Sequence, residues 1–289
     1  SIYMINRNKQ QSFTLIELLV VIVIIGILAG VIMISTSSSI DKANFAKAQT
    51  FSNTVQEELL LNLVSEWTFD EGTDQTINRV ATNNDIKDTW GSNNGTVYGN
   101  PQIKGDNDCV SGRCMSFDGD GDYIDYGNGI IGESSYTKSV WIKTNTPSAS
   151  NIISGSGSQH VLYLSSGNIV ASNTWSTPQI SRSANFYNDK WHHIVFTYSD
   201  SRARIYFNGI FLSPEATLSN GPANSITYVG AYNASNFFKG LMDDIRIYNS
   251  ALSSAKIKQN YVAGLNSMLS NGNISNEEYN ERINELAEK

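Results

Sequence analysis

The chain has 289 residues and a formal net charge of −7, from 27 acidic against 20 basic side chains. A nucleic-acid binder neutralises phosphates with a Lys/Arg-rich face, and an acidic balance of this kind argues against DNA and RNA as partners. Only 16% of residues are charged, while 22 glycines and 14 tyrosines, with many Asn and Ser, point to a turn-rich β protein facing water.

Residues 13–34 read FTLIELLVVIVIIGILAGVIMI, with Glu17 as the only charge. At about 1.5 Å of rise per helical residue, this run just covers a hydrocarbon core of about 30 Å. A secretory signal would be shorter and would end in small residues at a cleavage site, whereas Ser35 to Ser39 lead into another helical pattern. Charge does not orient the span, because Arg7 and Lys9 on one flank are matched by Lys42 and Lys47 on the other. A carboxylate inside an apolar helix costs about 3 kcal/mol, so Glu17 needs a partner. Gly26 and Gly30 are spaced to let helices approach closely, or are simply tolerated in an apolar helix.

The stretch Arg7, Lys9, Gln10, Gln11, Ser12, Phe13, Thr14, Leu15, Ile16 and Glu17, continuing to Gly26, resembles the class III signal of type IV pilins and pseudopilins. The resemblance implies a leader over residues 1–12, cleaved between Ser12 and Phe13 by a prepilin peptidase, and N-methylation of Phe13. It also implies a pairing of Glu17 with the terminal amine of a neighbouring subunit in a filament. Two departures stand out: Ser12 replaces the family's usual Gly, and the proline common further along major pilin stalks is missing, which favours a minor or pseudopilin-like subunit. Met4 would open a leader of typical length.

Beyond residue 40 the helical period persists, with Phe51, Val55, Leu59 and Leu63 recurring every four residues and Gln56, Glu57 and Asn62 between them. One transmembrane and stalk helix over 13–64 follows. Cys109 and Cys114 are the only thiols, and with three histidines they make a poor zinc set. They are read as a small disulfide loop, implying an oxidising compartment; free thiols are the alternative.

From residue 65 to 250, short alternating segments bounded by Gly, Asn and Asp predict a sandwich. Strands are expected at 66–69, 123–126, 139–143, 161–164, 192–198, 203–207, 227–231 and 242–248, enough for a jelly roll. Asn208-Gly209 between two apolar runs predicts a type I′ hairpin. The stretches at 67–72, 117–124, 191–198, 205–209 and 238–248 occur in order and together resemble the laminin-G-like, concanavalin A-like lectin/glucanase family. The expected fold is therefore mainly β: a concanavalin A-like jelly-roll β-sandwich head on a long N-terminal pilin-type helix.

Candidate sites in the head are few. Asp118, Asp120 and Asp122 have the spacing of an EF-hand start, but Tyr123 and Gly129 occupy its sixth and twelfth positions, so a β-turn is expected. The resemblance implies a calcium site on a rim of the sandwich, where Asp70, Asp88, Asn93, Asn94 and Asp243 offer hard oxygen ligands; solvated loops are the alternative. Asp243 and Asp244 alternate along a strand, so at most one faces such a site. No strand carries the paired carboxylates of a glycosidase, and His192 and His193 are read as sheet residues, so no enzymatic activity is expected. Trp90, Tyr163, Trp175 and Tyr187 could stack on sugars or serve as core and rim residues.

The tail over 251–289 is expected to be helical. Helicity is predicted over 250–264 and again over 276–287, the latter announced by Ser275, Glu278 and an Ile274–Tyr279 staple. Together these readings describe a membrane-anchored subunit assembled with other pilin subunits, its head outside the cell binding carbohydrate or a surface protein. A secretion-machine pseudopilin with a non-lectin head is the alternative.

Overall fold

The computed structural model describes residues 61–132, 134–174, 179–219, 221 and 225–289. The chain divides into two units, Ser1–Glu58 and Leu59–Lys289, and the second is the subject here. Ser12, Phe13, Glu17 and nearly all of the expected stalk helix lie outside the described residues.

In chain order the strands are β1 (Leu63–Trp67), β2 (Arg79–Val80), β3 (Thr96–Tyr98), β4 (Gln102–Lys104), β5 (Cys114–Asp118), β6 (Tyr123–Asn128), β7 (Ser135–Lys143), β8 (Ser150–Gly155) and β9 (Gln159–Ser165). There follow β10 (Asn168–Thr174), β11 (Ile180–Ser183), β12 (Trp191–Ser199), β13 (Arg202–Phe207), β14 (Ile210–Phe211), β15 (Ala216–Thr217), β16 (Ile226–Val229) and β17 (Lys239–Tyr248). Two helices close the chain, α1 (Ser254–Ser270) and α2 (Asn276–Ala287).

The strands form a mainly β, jelly-roll-like sandwich. One sheet has ten strands, in the order β14-β13-β12-β7-β17-β5-β4-β2, with β1 also pairing β17 and β15 pairing β13. The other has seven, in the order β11-β10-β9-β8-β16-β6-β3. The named strand pairs are antiparallel, as a chain built from hairpins and crossovers without long helical returns requires.

Alternation along each strand fixes the core. In β12, Ile194, Phe196 and Tyr198 point between the sheets to meet Tyr136, Val140 and Ile142 of β7 and Ile153 and Leu162 of the seven-stranded sheet. Residues of opposite parity point away from that core, yet they are buried too: Trp141, Trp191 and Val195 lie at 0%, 5% and 1% exposure. Their cover is the tail. Tyr261, Leu265, Met268, Ile274 and Leu286 pack with Trp141, Trp191 and the cysteines into a second core on the outer face of the ten-stranded sheet.

The Asn208-Gly209 turn forms as expected. Its residues have φ of 52° and 77°, the double left-handed geometry of a type I′ turn, which Asn and Gly adopt at least cost. Helix α2 spans the expected residues, and the Ser275 hydroxyl accepts from the Glu278 amide at 3.2 Å. Helix α1 runs beyond the predicted end at residue 264. Gly264 is no stop signal but a point of close approach, since a Cβ there would lie 2.3 Å from Trp141 Cζ2. A second correction concerns Leu63: the last member of the expected helical stripe opens β1, pairing with Tyr248.

Candidate functional site

The five proposed calcium ligands fall into two groups. Asp88, Asn93 and Asn94 belong to the loop after β1 and are committed to its own backbone. Asp88 Oδ1 accepts from the amides of Glu66 at 3.0 Å, Trp90 at 3.1 Å and Gly91 at 2.8 Å, and its Oδ2 accepts from that of Asn93 at 3.0 Å. Burial raises the Asp88 pKa, but these amides outweigh it and hold the carboxyl below its ordinary value. Asn93 donates to the Ser65 hydroxyl at 2.6 Å, and Asn94 Oδ1 accepts from the Asp88 amide at 2.9 Å. This group pins the loop to β1.

Asp70 and Asp243 grip a different segment, the disulfide loop. Cys109 and Cys114 are bonded, with Cα atoms 5.4 Å apart. Asp70 Oδ1 accepts from the Arg113 amide at 2.6 Å, and Asp243 Oδ2 accepts from the amides of Val110 at 2.9 Å and Ser111 at 3.2 Å. Burial pushes Asp70 up to about 6. Asp243 is fully buried; desolvation, reinforced by the charges of Asp244 and Asp70, raises it well above the carboxylate range. A bulge falls in this stretch of β17: register shifts between Asp243 and Arg246, Asp244 adopts φ 48°, and its charge raises both Asp70 and Asp243. Among the described residues no three His, Cys, Asp or Glu side chains form a group that could hold a metal ion. The five residues thus divide between the loop after β1 and the disulfide loop, and each of the three carboxylates accepts from backbone amides.

The 118–122 turn behaves as a turn. Asp122 accepts from the amides of Asp118 at 3.0 Å and Asn100 at 2.7 Å, and Asp118 accepts from that of Asp120 at 2.7 Å. His192 and His193 are sheet residues of β12. The His193 ring lies 5.0 Å from that of Trp141, with its Nε2 2.8 Å from Ser139 Oγ, and burial lowers its pKa to about 3. His192 stacks 4.8 Å from Phe207 and is lowered to about 4, again chiefly by burial. The Ser139–His193 pair lies beneath the second core, with both residues at 0% exposure.

Of the aromatic candidates, Trp90 and Tyr187 are 48% and 41% exposed. Tyr163 lies on β9 with its hydroxyl 3.3 Å from Gln179 Oε1, while Trp175 is outside the described residues. Sequence reasoning missed a larger aromatic group on the outer face of the seven-stranded sheet. Tyr98 and Tyr123 stand opposite one another across β3 and β6, their rings 4.6 Å apart and 2° from parallel. Phe237 stacks on Tyr123 at 6.4 Å, and Tyr228 meets Tyr123 edge-on at 5.9 Å. The clue lay in tyrosine at outward parity on expected strands, but the pairing of strands distant in sequence was needed to bring the rings together.

Comparison with known proteins bears on both ends of the chain. Residues 7–33 match the prokaryotic N-terminal methylation motif, and residues 118–258 match the concanavalin A-like lectin/glucanases superfamily. No curated protein matches the chain. Among solved structures, it is similar to domain 4 of a GH43 extracellular arabinanase from Geobacillus stearothermophilus in complex with arabinotriose: 21% identity, TM-score 0.55, covering 68% of this chain and 97% of that one. It is also similar to the binding domain of Paraclostridial Mosquitocidal Protein 1 (18% identity, TM-score 0.57, 72% and 53% coverage). The receptor binding domain of botulinum neurotoxin C/D mosaic serotype gives 16% identity and a TM-score of 0.54, with 71% and 52% coverage. The chain spans about half the length of these two toxin domains, and identities this low speak for fold alone. The chain carries a prokaryotic methylation motif at its N-terminal end and a concanavalin A-like β-sandwich as its head.

Proposed function

We propose that this protein is a type IV pilin-like filament subunit whose sandwich head serves recognition of a carbohydrate or surface protein outside the cell. The observation that carries the reading is the presence in one chain of a methylation motif and a concanavalin A-like domain. The motif implies a membrane-anchored subunit that a prepilin peptidase processes and that assembles with other pilin subunits. The apolar run of residues 13–34 supplies the span, and Glu17 supplies the intersubunit charge pair. The arabinanase domain's complex with arabinotriose supports a saccharide as ligand class. The head acts by binding, without catalysis. The missing stalk proline favours, as a second reading, a pseudopilin whose head touches exported proteins.

Two measurements test the proposal. Glu17→Ala is expected to insert into membranes normally but to assemble poorly, because its partner exists only between subunits; wild-type filament yield from this variant would overturn the assembly role. A glycan array probed with the chain, with calcium and again with chelator, is expected to show binding. Loss of that binding with chelator would establish a calcium-dependent lectin, and silence in both conditions would shift the assignment to the pseudopilin reading.

A further inference from the structure

The tail occupies the outer face of the ten-stranded sheet, whereas the outer face of the seven-stranded sheet carries its aromatic group toward solvent. Alternation places the rings there. Val97 and Ile124 point into the sandwich while Tyr98, 43% exposed, and Tyr123 point out; Val229 points in and Tyr228 out. A second row runs beside the rings, since Thr96 and Tyr228 both stand opposite Asp125 in register and Tyr228 stands opposite Ser154. Tyr163 of β9 shares this face, with Leu162 and Leu164 beside it pointing into the core.

We propose that this face is a binding track for a neutral, linear oligosaccharide, with Tyr98, Tyr228 and Phe237 as its stacking surface, Tyr123 packed among them as their support, and Asp125 as an acceptor for sugar hydroxyls. The proposal rests on the recognition role assigned to the head above. Aromatic rings at a water-facing surface offer apolar area that the C–H faces of a sugar ring can cover, and phenol hydroxyls supply hydrogen bonds at the rim. Asp125 commits Oδ1 to the Gly127 amide at 2.8 Å and retains further acceptor capacity. The two rows hold one carboxylate and no Lys or Arg, which disfavours phosphates, uronates and anionic lipid surfaces. Beyond Phe237 the surface dips into a cleft of about 440 Å³ lined by Asp118, Ser150, Asn236 and Lys239, a further set of partners for hydroxyls. From β3 to β16 the rings cross three neighbouring strands, roughly 10 Å, commensurate with a short stretch of a linear oligosaccharide. A protein partner would need about 800 Å² of complementary surface with an apolar centre, and Thr96 and Asp125 interrupt any such centre.

The test is titration of the full chain in detergent micelles with arabinotriose, xylotriose, cellotriose and mannotriose, by calorimetry and saturation-transfer NMR. At least one trisaccharide is expected to bind, and Tyr98→Ala and Tyr228→Ala are each expected to weaken it about tenfold. Tyr98→Phe keeps the ring and is expected to retain affinity within about threefold, with near-UV circular dichroism checking the fold of each variant. Trp90→Ala, in the loop after β1, is expected to change nothing. If both tyrosine variants bind within twofold of wild type, or if Trp90→Ala abolishes binding, the track is wrong while the recognition role stands. If none of the four probes binds the wild-type chain, the saccharide track is overturned, while recognition of a surface protein by the head is untouched. Self-association relieved by Tyr98→Ala in place of saccharide binding would mark the face as an interface between copies and overturn the proposal.

Discussion

At the scale of single residues, close packing against Trp141 sets the tolerance of the second core. Alanine at position 264 gains about 1 kcal/mol of helix propensity, but its Cβ would lie 2.3 Å from the buried indole. Backbone or ring must move, so Gly264→Ala is expected to destabilise by about 1–3 kcal/mol, read as a lowered urea midpoint at unchanged slope. The buried histidines give a pH signature. Their folded pKa values, about 4 for His192 and about 3 for His193, lie below the ordinary 6.5, so the unfolded chain takes up protons that the folded chain refuses. Their contribution is complete above pH 6.5 and drains away as pH falls toward 4 and 3, by about 1.4 kcal/mol per pH unit for each group. Asp70, raised to about 6, works in the opposite sense between pH 6 and 4, while Asp85, lowered to about 2 mainly by its Arg79 and Thr82 bonds against the opposing effect of burial, withdraws support below pH 4. Asp243, raised well above the carboxylate range, opposes the histidines as Asp70 does, so the test is a difference: between pH 7 and 4.5 His193→Gln is expected to lose less urea midpoint than wild type as pH falls, and an unchanged slope would remove His193 from the account. What was legible at this scale was local, as with Asn208-Gly209, where two φ values decide the turn. What was not legible was partnership: Lys138, just before an expected strand, faces the core and donates to the carbonyls of Ile153 and His160, with burial driving its pKa well down.

At the scale of elements, the disulfide loop joins two parts of the sandwich. It leads into β5 and is held by Asp70 from the start of the chain's head and by Asp243 from β17. Loop-closure entropy for so short a ring amounts to about 2 kcal/mol. Cys109→Ser with Cys114→Ser is expected to cost at least that much, because slack in the loop also loosens the amides that satisfy Asp243, fully buried. Equal thermal midpoints with and without reductant would show that the two carboxylates hold the loop unaided. The eight strands expected from sequence all overlap observed ones, because each combined β-branched or aromatic residues with period-two alternation. Most of those missed fall into two kinds. β2, β3, β4 and β15 are two or three residues long, too short for a period, while β8 and β10 are rich in Ser and Asn that read as turn formers until a neighbouring strand claims their backbones. Among the candidate calcium ligands, type and approximate position were readable, but the bulge at Asp244 and the inward commitment of Asp88 depend on hydrogen bonds between distant segments.

At the scale of the molecule, the head has two unlike faces, one sealed by α1 and α2 and one bearing stacked tyrosines. The processing site proposed between Ser12 and Phe13 belongs to this scale too, since under that proposal leader removal precedes entry into a filament. If Ser12 slows leader removal relative to the family's Gly, Ser12→Gly should accelerate the appearance of mature chain in a pulse-chase assay; identical kinetics would show the serine to be neutral. The position of β1 has a mechanical consequence. Any tension carried along the backbone from the N-terminal segment enters the head at Leu63, and β1 lies antiparallel to β17, an internal strand flanked by β7 and β5. Glu66 and Arg246 lock the pair at 2.6 Å, Trp67 is fully buried, and its indole donates to the Asn93 carbonyl at 2.8 Å. A pull therefore loads the middle of the ten-stranded sheet through several bonds at once, and a head tethered this way can bear traction while the tyrosine-bearing sheet, which β1 does not join, keeps its shape.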